Sequence, residues 1–491
     1  MPGRRLNQRL VVPTMFVATF FLVVMDGAIT TVALPSIARQ FGVTAAGADS
    51  VAVVYPVCVG ITIPVSGWLG DRFGGKPVLL SAMGLFTVAS ALCGMADSLG
   101  QLVVFRGLQG MSGGLLTPVA AAMLFRTFSP AERVRASRVM IIPQQMAPAI
   151  APMLGGVLVD SISWRWVFYV NLPFGIAALL FGLLFLDNPR HGDPGRLDVP
   201  GLLLSAGALS LVMYGVSEGA ERGWGSPLIA GSLAAGAALL VATVVVELRK
   251  PAPALRLRLF KDALFRDTKI LGLIGVIPFM GAMYAAPLFL QEARGASALE
   301  SGSATFTEAF GVLLTVQLAA RVFDRFGPRL IIAGGLSCVA AVLAVMTATV
   351  GPDTGPWSFR IYMFLLGLGM GAVFMPLTVA SFATIGKEDM GQASTLGSVI
   401  SQLSMALAPA LVATLLITNT ATAGHVAPPS AYHTVYLVLT VMAFASVLFT
   451  LTIRDAPARH SPPPPRGARA PRPAFRRRAG VTSGGGSSSK E

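Results

Sequence analysis

Asp26 is a carboxylate in the middle of an apolar segment. It lies within residues 16–34, which contain no other charged residue. A carboxylate at membrane depth is unfavourable unless it faces a water-filled cavity, pairs with a cation or holds a proton, so an intramembrane acid is a functional-site hypothesis by default. Holding a proton would make the chain a proton-handling transporter. The alternative is that Asp26 accepts a hydrogen bond from a neighbouring helix and never titrates.

Arg106 and Glu308 are the other charged residues that we place within apolar segments and consider for proton coupling. A nearby cation favours the ionised form of a carboxyl, and desolvation favours the neutral form. A pair such as Asp26 and Arg106, if its geometry changes with conformation, could load a proton on one side of a membrane and release it on the other. Glu308 lies near the outer end of its segment, where it either takes part or faces an outer vestibule and is hydrated.

Composition indicates the kind of structure that must position these residues. The chain has 491 residues, 54% of them hydrophobic and 12% charged, with a mean hydropathy of +0.70. About 20 apolar residues cross a bilayer as a helix. The sequence therefore predicts an all-α membrane protein with fourteen transmembrane segments, at residues 14–34, 50–69, 78–96, 101–124, 139–159, 167–186, 200–217, 227–246, 270–290, 303–320, 330–350, 360–380, 393–417 and 434–452.

The basic residues predict the orientation of these segments. Of the 37 Lys and Arg residues, four fall in alternate loops taken as outside, two lie in or at the edge of helices, and the other 31 are inside. Cytoplasmic loops carry this excess, so both termini are expected in the cytoplasm. The same scatter over loops argues against nucleic acid as a partner. The four outside residues are Arg39, Arg165, Arg222 and Arg294.

Several function classes find no support in the sequence. Cys58, Cys93 and Cys338 lie in apolar segments without metal-ligand spacing, and we interpret them as small core residues. The sequence has no phosphate-binding loop, catalytic triad or metal cluster. We therefore expect no enzymatic activity, no bound metal and no cofactor.

A short loop between the second and third segments contains glycines, an acid and bases, in the sequence GWLGDRFGGK from Gly67 to Lys76. Gly74 and Gly75 allow a tight turn. A weaker copy, FDRFGPR, begins at Phe323 between the tenth and eleventh segments, and its Asp324 follows Asp71 by 253 residues. Both copies follow an even-numbered segment on the inside. A repeat of about half the chain is typical of transporters built from two related halves.

Taken together, the motifs resemble those of the major facilitator superfamily, in particular its fourteen-helix drug:proton antiporter branch (the EmrB/QacA type). The resemblance rests on the loop above and on five further stretches. Two of these depart from the family pattern. Ala28 and Thr31 differ from the usual neighbours of Asp26, and two alanines replace glycines in the fifth segment. The five stretches are Asp26 to Pro35, RGLQG from Arg106, Ala147 to Gly156, WRWVF to Pro173 from Trp164, and PLFLQ to Gly295 from Pro287.

The resemblance implies two six-helix bundles with two inserted helices. The implied divisions are a cytoplasmic N-terminus at 1–13, a first bundle at 14–187, inserted helices at 198–248, a cytoplasmic linker at 249–269, a second bundle at 270–453 and a tail at 454–491. The tail is rich in Pro, Arg, Gly and Ser, and this composition predicts disorder.

The resemblance also implies which residues control the conformational change. In the family the short inner loop and the fifth helix do this, the latter by sealing the cavity. The implied gating residues are Gly67, Asp71, Arg72, Gly74, Pro152, Gly155 and Gly156. Small residues let helices approach closely, and a proline permits a bend. The substrate cavity is predicted to include Thr30, Gln109, Gln145, Gln291, Ser398 and Gln402.

These expectations lead to one function with two alternatives. The chain is expected to be a proton-driven exporter of hydrophobic small molecules, acting as a monomer in the cytoplasmic membrane. Its substrates are expected to be neutral or monocationic, because the thirteenth segment has no acid. One alternative is the dedicated export of a native metabolite, lipid or siderophore. The other is a scaffold or sensor that does not transport.

Overall fold

The computed structural model describes residues 6–43, 45–129, 132, 147, 150–151, 154–159, 161–188, 197–250, 253–351, 353–420 and 428–453. Within this part of the chain the regular structure is helical, with no β-strand. Thirteen helical segments among the described residues are long and apolar enough to cross a membrane. The chain is an all-α membrane protein. Most of the fifth predicted segment and the whole predicted tail lie outside the described residues.

The helices of the first half surround two apolar clusters. α3 and α4 pack on each other, and both α1 and α2 pack on α4. The short α5 and the following α6 together make one segment of membrane length. The helices are α1 Gln8–Phe41, α2 Ala45–Phe73, α3 Gly75–Gly94, α4 Leu99–Thr127, α5 Trp166–Tyr169 and α6 Asn171–Phe185.

Two helices, α7 Val199–Arg222 and α8 Pro227–Arg249, follow and pack against each other. A 3₁₀ turn at Leu257–Lys261 leads to the second half. The second half contains α9 Ala263–Leu288, a π-helical turn at Phe289–Ala293, and then α10 Ala298–Thr305, α11 Thr307–Thr349, α12 Pro356–Ser381, α13 Met390–Thr420 and α14 Pro429–Thr450. α7 packs on α2 and on α13, so the inserted pair contacts both halves.

The two copies of the inner-loop motif adopt the same backbone conformation. Gly74 separates α2 from α3 with φ +93° and ψ 151°. Gly327 interrupts α11 with φ +71° and ψ 167°. A positive φ is favourable for glycine alone, which explains the glycine in each copy. We call the end of the molecule that holds these turns the inner end; it is the predicted cytoplasmic end.

Several helices extend past the predicted apolar segments. α7 ends at Arg222 rather than at 217, and α8 ends at Arg249 rather than at 246. Hydropathy marks the part of a helix that suits hydrocarbon, whereas the backbone hydrogen bonds continue into the polar interface. The helices therefore include two acids that lie just beyond the ends of the predicted segments. Glu218 and Glu247 are helical and buried as well.

Candidate functional site

The carboxylate of Asp26 forms a buried ion pair with Arg106. Arg106 Nη1 on α4 donates to Asp26 Oδ2 on α1 over 2.6 Å. The side chains are 2% and 0% exposed, respectively. The structure therefore brings together the two residues that the sequence singled out for proton coupling.

Two amide side chains complete the coordination of the carboxylate. Gln109 Nε2 and Asn171 Nδ2 each donate to Asp26 Oδ1 over 2.7 Å. Gln109 also accepts from Arg106 Nη1 through its Oε1, over 2.7 Å, because residues three apart share one face of α4. Gln109 Nε2 further donates to Ser90 Oγ on α3 over 2.6 Å. We call Asp26, Arg106, Gln109, Asn171 and Ser90 the carboxylate network.

The guanidinium of Arg106 is also held by α2. Its Nε donates to the main-chain oxygen of Val51 over 3.3 Å, and its carbon lies 4.5 Å from the centre of the Tyr55 ring. A buried ion pair is tolerated when hydrogen bonds satisfy the remaining polar atoms of both partners. Here three helices, α2, α4 and α6, supply these hydrogen bonds. Removing either charge would leave the other buried without compensation.

The network also contains unused hydrogen-bonding capacity. Asn171 Oδ1 and the Tyr55 hydroxyl are buried and have no hydrogen-bond partner in the part of the chain that the structure describes. Buried polar atoms are nearly always satisfied in folded proteins, so unpaired ones require an explanation. Both residues already contact the ion pair through other atoms. A change in the protonation of Asp26 or in the position of Arg106 would give these atoms new partners.

Asn171 and Ser90 were not among the predicted site residues, and Gln109 was predicted at a different site. Gln109 was predicted to line the substrate cavity, yet it is 0% exposed within the carboxylate network. Thr30, another predicted cavity residue, is buried one turn from Asp26 and donates to its main-chain oxygen over 2.7 Å. The signal for Asn171 was its position as a lone amide at the start of an apolar helix.

Glu308 lies in the second half and is not a partner of Asp26. It stands in the first turn of α11, directly after the short α10, and is 4% exposed. Its side chain is therefore buried rather than hydrated. The main chain of α12 approaches closely here, because a Cβ at Gly367 would lie 2.1 Å from the Glu308 main-chain oxygen.

At the inner end the two halves are in direct contact. Asp71 on α2 forms an ion pair of 2.6 Å with Arg126 at the end of α4. Arg126 Nε also donates to the main-chain oxygen of Lys387, ahead of α13, over 3.1 Å. Ser66 and Thr395 hydroxyls lie 3.0 Å apart across the same boundary. These contacts close the inner end in this conformation.

The predicted gating residues divide into several groups. Gly67 faces the second half, since a Cβ there would lie 2.8 Å from Thr395 Oγ1. Gly155 packs on α1, where a Cβ would stand 2.9 Å from Ile29 Cγ1, whereas a Cβ at Gly156 would have none of the described residues within 4 Å. Arg72 is exposed. Pro152 lies outside the described residues. Asp71 forms its ion pair with Arg126, which was not among the predicted site residues.

The other predicted cavity residues lie apart from the carboxylate network. Gln291 is exposed on the π-helical turn and donates to Ser301 Oγ over 3.3 Å. Ser398 and Gln402 are half-buried, one turn apart on α13. Gln145 lies outside the described residues. The part of the chain that the structure describes has no group of three or more His, Cys, Asp or Glu residues that could hold a metal ion.

The sequence profile of the Major Facilitator Superfamily matches residues 16–409 and 270–484. The chain is 31% identical over 390 residues to multidrug transporter protein MdtP of Bacillus subtilis (strain 168), covering 79% of this chain and 72% of the relative. It is 32% identical over 445 residues to puromycin resistance protein pur8 of Streptomyces alboniger, covering 89% and 88%.

A third relative is a multidrug resistance protein B homolog of Mycobacterium tuberculosis (strain ATCC 25618 / H37Rv), 30% identical over 395 residues, which cover 80% of this chain and 73% of the relative. Among solved structures, the human organic anion transporter MFSD10 (TETRAN) superposes with a TM-score of 0.65 over 91% of this chain and 100% of that one. Its 15% sequence identity makes this a likeness of fold alone.

Proposed function

The chain belongs to the Major Facilitator Superfamily, as the motifs predicted, and we propose that it is a proton-coupled antiporter that exports hydrophobic, neutral or monocationic small molecules. In this proposal it is a secondary transporter in the cytoplasmic membrane, with both termini in the cytoplasm. It works as a monomer, needs no bound cofactor and is driven by the proton motive force. Relatives named for multidrug transport and for puromycin resistance support export of drug-like molecules.

The observation that carries the proposal is the buried Asp26–Arg106 pair. The ionised carboxylate of Asp26 accepts hydrogen bonds from Arg106, Gln109 and Asn171. A proton on Asp26 would neutralise it and leave the Arg106 cation without its counter-charge in a low-dielectric site. Protonation therefore favours a different arrangement of α1 against α4, and the return of the ion pair favours release of the proton.

Alternating access links this step to the two ends of the molecule. The inner end is closed by the Arg126–Lys387 and Ser66–Thr395 contacts, and the Asp71–Arg126 pair holds the Arg126 side chain in place. A proton that enters from outside would bind Asp26, displace the substrate and reset the transporter to the state open to the cytoplasm. There the proton leaves and the next substrate enters.

The substrate charge follows from what the transport pathway lacks. The polar residues on α13 are uncharged, namely Ser394, Ser398, Ser401, Gln402 and Ser404. A dication would have no acid on this helix to bind. For a monocation, exchange against one proton moves no net charge. For a neutral substrate, each cycle moves one charge inward, worth about 2.3 kcal/mol per 100 mV of membrane potential.

A dedicated exporter is the second candidate, and the similarity to pur8 over most of both chains favours it. In that case the substrate is one native metabolite, such as an antibiotic, rather than a range of drugs. A panel of dyes and antibiotics that includes puromycin, tested on cells with and without the gene, distinguishes the two. Protection against several unrelated compounds supports the first proposal, and protection against one supports the second.

The decisive experiment measures substrate-induced proton release in proteoliposomes, with wild type compared with Asp26→Asn. The amide keeps the size of the side chain but cannot cycle a proton, so we expect proton release to be lost. Asp353→Asn, the same change at an exposed loop residue, is the matched control and should behave as wild type. Equal proton release by wild type and Asp26→Asn would refute the role given to Asp26. A scaffold or sensor predicts no release by either.

A further inference from the structure

A second pair of buried carboxylates lies where the inserted helices meet the linker, at the inner end. Asp198 caps the N-terminus of α7, and Glu247 stands in the last turn of α8. The two residues are 9% and 1% exposed. Neither belongs to the carboxylate network, and the cycle proposed above makes no use of them.

Each carboxylate has one satisfied oxygen and one unsatisfied oxygen. Asp198 Oδ1 accepts from the Gly201 N–H over 3.0 Å and from Lys250 Nζ. Glu247 Oε2 accepts from the Leu255 N–H of the linker over 3.1 Å. The other two oxygens, Asp198 Oδ2 and Glu247 Oε1, are buried and have no hydrogen-bond partner among the described residues.

The two unsatisfied oxygens face the same point. A Cβ at Gly201 would lie 2.3 Å from Glu247 Oε1 and 2.5 Å from Asp198 Oδ2. The two oxygens are therefore less than about 5 Å apart, and the absence of a side chain at Gly201 leaves room for them. Two ionised carboxylates beside one lysine would leave a net negative charge in a buried place, which is strongly unfavourable.

We propose that Asp198 and Glu247 share one proton, directly or through a single water, and so form a second protonation site at the junction of the inserted helices and the linker. One proton satisfies both unpaired oxygens, because Glu247 Oε1–H donates toward Asp198 Oδ2. It also reduces the charge of the cluster to one carboxylate and one lysine, which neutralise each other.

Asp198 is the ionised member of the pair. Burial opposes its charged form, but the hydrogen bonds from Lys250 and from the Gly201 N–H and the positive charge of Lys250 together lower the pKa of the Asp198 carboxyl. Among the described residues, the groups that face the pair are Lys250 at the end of α8 and the main-chain N–H groups of Ala254 and Leu255 in the linker. Arg258 donates instead to the main-chain oxygen of Leu248.

The site is connected to the inner end through the linker. Glu247 holds the Leu255 N–H, and the next residue, Arg256, forms an ion pair with Asp389 and donates its N–H to Gln392 Oε1 over 3.3 Å. These two partners lie at the start of α13, which closes on Ser66. Loss of the proton places a second negative charge beside Asp198. The repulsion between the two carboxylates then favours a movement of Glu247, which carries the Leu255 N–H of the linker with it. The inner closure then becomes sensitive to the pH on that side.

Infrared spectroscopy of the purified protein tests the site without any transport measurement. The background is Asp26→Asn, which removes the carboxyl of the first site. We expect a C=O band of a protonated, buried carboxyl at pH 7 that disappears in Glu247→Gln. It should be unchanged in Glu300→Gln, the same change at an exposed residue. Identical spectra for the background and Glu247→Gln at pH 7 would overturn the proposal.

Lys250→Met provides a second measurement that keeps both acids. Loss of the cation makes the second ionisation harder, so the carboxyl band should persist to a higher pH than in the background protein. This measurement remains possible even if the Glu247→Gln variant fails to fold. A band that disappears at the same pH with and without Lys250 would also overturn the proposal. Both measurements are spectroscopic and use protein without the Asp26 carboxyl. Their failure would therefore refute the second protonation site alone and would not bear on proton-coupled transport through Asp26.

Discussion

The interiors of the two halves differ in chemistry although the halves share a fold. The first half is built around the Asp26–Arg106 ion pair and its amide partners. The second half has an apolar core that contains an aromatic cluster, with Phe289 stacked on Phe359 at 5.3 Å and edge-on to Tyr432 at 5.1 Å, and its buried acid, Glu308, stands apart at the start of α11. The turns at Gly74 and Gly327 nevertheless have the same backbone conformation. The repeated backbone therefore does not require a repeated polar site.

This contrast indicates that the two halves have different roles in transport. Hydrogen bonds and ion pairs are directional, so a polar interior has discrete arrangements that one proton can switch. An apolar aromatic interior responds little to charge and moves as a unit. We therefore expect the proton chemistry to reside in the first half and the second half to act as the body against which it moves. The inner-end contacts, Arg126–Lys387 and Ser66–Thr395, are where the two meet.

The largest effect is expected from Arg106→Met. The change leaves the Asp26 carboxylate buried without a cation and should destabilise the protein by about 3–5 kcal/mol. Proton-coupled transport should be lost. Thermal unfolding in detergent and proton release in proteoliposomes measure the two effects.

The double variant Asp26→Asn, Arg106→Met is the control for this prediction. Because neither partner is then stranded with an unpaired charge, most of the lost stability should return while transport stays absent. A double variant as unstable as the sum of the two single variants would contradict the coupling that the 2.6 Å ion pair indicates.

The fold and the identity of the central pair could be predicted from the sequence for a physical reason. Apolar runs must be helices in a bilayer, and charges within them need partners. Asp26 and Arg106 stand out because each is the rare charged residue in its run.

The neighbours of the pair could not be predicted in the same way. Gln109, Asn171 and Ser90 are uncharged, and their roles depend on how four helices are rotated about their axes, which no local pattern specifies. Arg126 was placed in a cytoplasmic loop, but α4 continues to Thr127 and presents Arg126 to Asp71. The pairing of Asp198 with Glu247 was hidden because hydropathy ended α8 before Glu247.

A smaller effect is expected from Asp71→Asn at the boundary between the halves. Loss of the ion pair with Arg126 should open the inner end more often and leave the carboxylate network intact. In a background without Cys58, Cys93 and Cys338, a Thr395→Cys reporter is buried while the inner end is closed. We expect a several-fold faster reaction with a maleimide applied from inside. Asp353→Asn should leave the rate unchanged, and an unchanged rate in Asp71→Asn would show that the pair does not hold the inner end closed.

The smallest effects are expected from removing two tyrosine hydroxyls, one in each interior. The hydroxyls of Tyr55 and Tyr436 are both buried, and neither has a hydrogen-bond partner within the described ranges. Removing an unsatisfied hydroxyl leaves no partner stranded, so Tyr55→Phe and Tyr436→Phe should each change stability by less than about 1 kcal/mol.

The transport rates of the two variants should differ. Tyr436 lies in the aromatic interior, and its variant should transport as wild type. Tyr55 lies under the Arg106 guanidinium, and its hydroxyl gains a partner only if Arg106 moves during the cycle, so Tyr55→Phe should slow transport at unchanged stability. Equal transport by both variants would mean that the Arg106 side chain keeps its present place throughout the cycle.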